Sequence, residues 1–186
     1  INHGQIHNMY GFYQSMATFA GHLQRSAGRD RPFALTRSFF AGSQRYAAVW
    51  TGDNQAKWSH LKASVAMVLQ VQICGLPFVG VDVGGFFDDP SPELLLRWYQ
   101  LGAVYPFFRG HSHEATHRRE PWLSSDPKIV EGIRSAIRYR YMLLPYLYTA
   151  FWEASHQDDN RGGGGVWRPL MFQFPEDAQS IGVLDT

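Results

Sequence analysis

The stretch 47-AAVWTGDN-54 passes within eight positions from an apolar run to a glycine flanked by polar residues. An apolar run this short, closed by turn chemistry, reads as a buried strand rather than a helix. A helix is expected from about Asn54, because Trp58, Leu61, Val65 and Leu69 recur on one helical face. Strand, polar turn and helix in that order form the first half of a βαβ unit.

Outward from this stretch the same unit recurs. On the N-terminal side, Met9, Phe12, Met16, Phe19 and Leu23 predict a helix over His7 to Leu23, stopped by Gly28. Pro32 to Thr36 reads as a strand before it reaches Arg37. On the C-terminal side, Phe78 to Val81 is a third strand candidate, ending at Asp82. Ser91-Pro92-Glu93 supplies a cap, a first-turn proline and an acidic residue, so a helix begins there and carries Leu94, Leu95, Trp98 and Leu101. Ala103-Val104-Tyr105 is the fourth strand candidate and leads into Pro106-Phe107-Phe108, then Arg109 and His111. Asp126-Pro127 opens a long helix through Ile129, Ile133, Ile137 and Tyr141, with a bend expected at Pro145. A mobile glycine-rich loop is expected at about 157–165, before Trp167 to Phe172 resumes an apolar run.

Alternating short strands and helices predict a parallel α/β sheet. Each strand candidate hands over to a polar residue at its C-terminal end, the edge where barrels and open α/β sheets bind ligands. Four strands cannot close an eight-stranded barrel, so a barrel would be roughly half represented.

Composition narrows the function. With 45% hydrophobic and 15% aromatic residues the chain is globular, and a net charge of +1 with scattered basic residues excludes a nucleic-acid footprint. One cysteine, Cys74, rules out an internal disulfide. Ala63 to Val81 is free of charge, but Gln70, Gln72, Gly75 and Pro77 interrupt it, so no membrane span is expected. The chain starts at Ile1, no signal peptide is expected among its first residues, and it is expected to be a segment of something longer.

Two patterns bear on chemistry. His113-Glu114-Ala115-Thr116-His117 matches H-E-x-x-H, a zinc signature that requires both histidines on one helical face. Its surroundings argue against that context: Arg109-Gly110 precede it, Pro121 follows it, and the extended pattern would need Gly and His where Glu120 and Leu123 stand. No metal site is expected. The second pattern is the pair of carboxylates Asp53 and Asp82, each beside glycines after a strand, with Trp50 and Phe86 offering flat faces to sugar rings. Glycosidases need two carboxylates flanking the scissile bond. Asp53 could equally cap the helix expected at Asn54.

Taken together, RPFALTRSFFAGSQRYAAVWTGDN (31–54), GVDVGGFF (80–87), LLLRWYQLGAVYPFFRGHSH (94–113) and RREPW (118–122) resemble the α-glucosidases of glycoside hydrolase family 31. The resemblance implies a (β/α)8 TIM barrel, of which residues 1–186 would supply the second half, strands 5–8. It implies retaining hydrolysis of terminal α-linked glucose without a cofactor. Asp53 would be the general acid/base; Arg37 and His111 would bind glucose hydroxyls; Trp50 and Phe86 would be pocket walls. Asp82 would orient its neighbours at the base of the site, and Arg109 would brace the loop through a carboxylate. SQRYAAVWTGDN is most similar to endoplasmic-reticulum members that trim α-1,3-linked glucose from N-glycans with a β subunit, which would place the protein in that lumen. Related family outcomes, such as an α-xylosidase, a transglucosylase or a lyase, and a sugar-binding module without catalysis, stand as alternatives. The family nucleophile lies in a W-x-D-M-N-E motif that does not occur in these 186 residues. This polypeptide alone is therefore expected to be inactive and to work with the remaining segments of the same enzyme. The glycine-rich stretch departs from the family pattern, and only the first histidine of RGHSHEATH would face the sugar.

Overall fold

The computed structural model describes residues 1–156 and 165–181. A short helix, α1 (His3–Ile6), leads through a 3-10 turn into α2 (Tyr10–Ser26), which ends where Ala27 and Gly28 turn left-handed and the Gly28 N–H donates to Leu23 O. That is a left-handed C-terminal stop of the kind glycine favours. Strands β1 (Leu35–Thr36), β2 (Ala48–Trp50) and β3 (Val79–Gly80) form a parallel sheet in that order. Leu35 pairs with Ala48, and Val49 with Val79. One residue beyond β3, β4 (Asp82–Val83) pairs in parallel with β5 (Arg109–Gly110), and Phe107 N–H donates to Val79 O, so residues 79–83 bridge both neighbours. Four parallel strand segments thus lie side by side in chain order.

Helix α3 (Trp58–Ile73) makes the crossover from β2 to β3, and α4 (Pro92–Gly102) the crossover from β4 to β5. The β1–β2 connection departs from the expected alternation, containing only a 3-10 turn at Ser43–Arg45. In α4 the Ser91 hydroxyl accepts from Leu94 N–H and Pro92 takes the first turn, while Leu94, Leu95, Trp98 and Tyr99 turn inward. Long helix α5 (Pro127–Ser155), capped by Asp126, covers α4 and continues through Pro145 as one element. The core joins Val49, Val68, Val79, Val81, Val83, Trp98, Tyr105 and Ile133. After the undescribed residues, Val166 packs on Leu147 and Ala150, and the Trp167 indole N–H donates to Val104 O at 2.8 Å. Two short helices, α6 (Leu170–Gln173) and α7 (Ala178–Ile181), close the described chain. The expected glycine-rich loop at 157–165 lies outside the described residues except for Gly165. No described helix is long and apolar enough to cross a membrane.

Two further expectations need correction. Helix α3 starts at Trp58, not near Asn54, because Asn54 to Ala56 form a loop that bonds across to residues 86–87. The run Ala103-Val104-Tyr105 is a buried turn, and the strand comes later, at Arg109–Gly110. Apolarity there reports burial, not extension. The turn's carbonyls are held by Arg140 from α5, whose guanidinium donates to Ala103 O, Tyr105 O and Pro106 O at 3.2, 2.5 and 2.9 Å. Where β3 meets the last segment the backbones touch: a Cβ on Gly80 would stand 2.1 Å from Phe107 O.

Candidate active site

Arg37 follows β1, Asp53 follows β2, Asp82 lies in β4 and His111 follows β5, so successive parallel strands deliver them to one carboxyl edge. That edge carries the chemistry in barrels.

Asp53 does not cap α3; Lys57 occupies that position without a side-chain bond. Instead the Asp53 carboxylate pairs with Arg37 at 3.3 Å, with 30% of its side chain exposed and 59% of the arginine's. Gly52 makes the approach possible. At φ +90° it takes a left-handed turn, and a Cβ there would stand 3.0 Å from the Arg37 guanidinium.

Asp82 is fully buried, and one oxygen accepts from Arg109 Nη2 at 2.5 Å. Burial raises its pKa above the ordinary carboxylate value; Arg109 and His111 pull the other way, and the nearby charge of Asp53 adds to the rise. Arg109 also stands over the Trp50 ring, 5.2 Å from its centroid. Trp50, Arg109 and Asp82 form a continuous floor. Beside it the Phe86 ring lies 5.3 Å from the His111 ring, tilted 32°.

The loops above this floor are laced together by backbone bonds. Phe86 N–H donates to both the side-chain and main-chain oxygens of Asn54 at 2.9 Å, and Asn54 Nδ2 donates to Asp82 O at 3.0 Å. Ala56 N–H reaches Phe87 O, and His113 N–H reaches Phe86 O. Half-buried Arg119 donates to Gly84 O, Gly85 O and Asp88 O at 3.1, 2.5 and 3.2 Å. Neither Asn54 nor Arg119 is a candidate on sequence grounds, since backbone carbonyls on a distant loop leave no mark in a pattern of side chains. Adjacency of Asn54 to Asp53 was the one available hint.

The H-E-x-x-H segment is a turn, not a helix, so its histidines do not share a helical face. His117 turns to Asp89 at 2.6 Å, while His113 accepts from Ala115 N–H. Among the described residues no three His, Cys, Asp or Glu side chains gather as metal ligands would.

Residues 1–150 match the family model for the "Glycosyl hydrolases family 31 TIM-barrel domain". The chain belongs to glycoside hydrolase family 31. Over 180 residues it is 54% identical to the "Probable glucan 1,3-alpha-glucosidase" of Oryza sativa subsp. japonica, covering 97% of this chain and 19% of that protein. A glucosidase II alpha subunit crystallised in a Glc1Man2-bound form superposes with a TM-score of 0.90 at 48% identity, covering 97% of this chain and 19% of that one. A heterodimeric ER glucosidase II complex, a catalytic subunit with the binding domain of a regulatory subunit, superposes at 0.89 with 48% identity, over 96% of this chain and 19% of the matched one. The family 31 chain described here spans about one-fifth of these relatives' length.

Proposed function

We propose that these residues form the second half, strands 5–8, of the (β/α)8 barrel of a retaining α-glucosidase, with Asp53 as its general acid/base. The observation that carries this reading is the partly exposed Asp53 carboxylate beside Arg37 at the carboxyl edge, with the Asp82–Arg109–Trp50 floor built from the neighbouring strands. Asp53 protonates the departing sugar oxygen and then takes a proton from the water that releases glucose. Arg37 and His111 bind glucose hydroxyls, Trp50 and Phe86 wall the −1 pocket, and Asp82 fixes Arg109. Asp82 Oδ2 and Trp50 Nε1 are buried without a protein partner among the described residues.

The nucleophile comes from protein outside these residues, since no W-x-D-M-N-E motif occurs here. The substrate is terminal α-1,3-linked glucose on an N-glycan in the endoplasmic-reticulum lumen, with a β subunit as partner; the named relatives support this assignment.

Asp53→Ala in the complete protein tests the acid/base role. Turnover of a glucoside with a poor leaving group should fall about 10³-fold, less with an activated aryl leaving group, and azide should restore turnover as α-glucosyl azide. Loss that is independent of leaving group and of azide would show Asp53 to be no acid/base.

A further inference from the structure

The loop Gly84–Asp88, which carries Phe86, has an unusual backbone. Gly84, Gly85 and Asp88 all adopt positive φ, at 100°, 85° and 65°. For Asp88 this is strained, and such a conformation persists only where the surroundings enforce it. On one side Asn54 and Ala56 bind Phe86 and Phe87 through their backbones. On the other side the only side chain among the described residues found bonding to loop carbonyls is Arg119, which takes those of all three positive-φ residues.

Arginine suits this task. Its planar guanidinium presents five donors in a fixed fork, so one side chain can address several carbonyls from one position. A lysine ammonium is a point charge and could not span them. Arg118, its neighbour, is exposed and pairs with Glu120 at 2.6 Å, touching none of the loop carbonyls.

We propose that Arg119 is a positioning residue for the −1 pocket, setting where the Phe86 ring stands by holding the carbonyls of Gly84, Gly85 and Asp88. The inference rests on Phe86 being a wall of that pocket. Arg119 itself does not touch the sugar; its influence on binding passes through the ring and ends there. Its side chain leaves Asp53 and the protonation chemistry alone.

A double-mutant cycle in the complete protein decides it, with p-nitrophenyl α-glucoside as substrate and glucose as competitive inhibitor. Arg119→Ala should raise KM and the glucose inhibition constant together, about 10- to 100-fold, while the pH profile of kcat keeps its shape. Arg119→Lys should fall between, and Arg118→Ala should change neither constant. In a Phe86→Ala background, Arg119→Ala should add less than about twofold, because its only route has been removed. The same factor in both backgrounds, or no effect in either, overturns the proposal. If Phe86→Ala alone leaves KM unchanged, the wall assignment under the proposed function fails and this inference falls with it, a result distinct from a failed cycle. Should Arg119→Ala not fold, the cycle is run with Arg119→Lys and judged by the same non-additivity.

Discussion

At the carboxyl edge of the strands, Asn54, His113 and Arg119 leave the loops over the floor tied to one another by named bonds; along α5, Tyr141, Met142, Tyr146, Tyr148 and Trp152 lie open on the surface. Met142 is 75% exposed and Tyr141 69%, on a helix whose other face buries Ile133 and Ala136 against the core. The loops of the first region find their bonding partners within these residues. The second presents large apolar and aromatic groups in a row, more than scattered surface residues account for. The loops over a site can therefore be fixed in place while its nucleophile is supplied from elsewhere and the scaffold beneath it still has apolar surface to bury.

Three experiments bear on that contrast. The largest effect is expected at Gly85, where φ is +85° and a Cβ would stand 2.4 Å from Ala56 N. Gly85→Ala combines backbone strain with overpacking and should lower stability by about 2–5 kcal/mol, read by denaturant unfolding of the complete protein. A loss below about 0.5 kcal/mol would mean that the loops are not interlocked.

Next comes the α5 face. Met142→Glu should lower the stability of the complete protein by about 1–3 kcal/mol, because it sets a charge on a face that the rest of the protein covers. In the isolated 186-residue chain the same change should be nearly neutral for stability and should reduce self-association in sedimentation velocity. Neutrality in both settings would erase the contrast between the two regions.

The smallest effect concerns Asp82. Burial raises its folded-state pKa above the ordinary 3.8, so the folded protein holds this proton more tightly than the unfolded chain does. Its contribution to stability is fully present below 3.8 and is lost as pH rises through the raised folded value. Asp82→Asn cannot titrate, so its stability relative to wild type should improve as pH rises through that interval. A difference that stays flat with pH would place the titration elsewhere.

Much of the carboxyl edge was legible in the sequence. The runs ending at Thr36 and Trp50 marked strand ends, the run Phe78–Val81 passed into β4 at Asp82, and Ala103–Tyr105 marked none; Arg37, Asp53, Asp82 and His111 all lie at that edge. The pairing of Arg37 with Asp53 was not legible, because it depends on β1 lying beside β2 in register. The start of α3 was misplaced since the loop Asn54–Ala56 spends its backbone on residues 86–87, a tertiary use that overrides the local cap. Ala103 to Tyr105 misled for a related reason: a turn that buries Ala103 and Tyr105 carries the same apolar letters as a strand. Arg119 and Arg140 act on main-chain oxygens, which every residue has, so no pattern of side chains could announce them.

Arg140 has a consequence in time. The turn before β5 is held by an arginine that lies 37, 35 and 34 residues further along the chain than the carbonyls it binds. During synthesis at about 5–20 residues per second, that turn waits roughly 2 to 7 seconds for its arginine to be made. Strand β5, and the side of the site that His111 occupies, therefore set late, after α5 has emerged far enough to reach back.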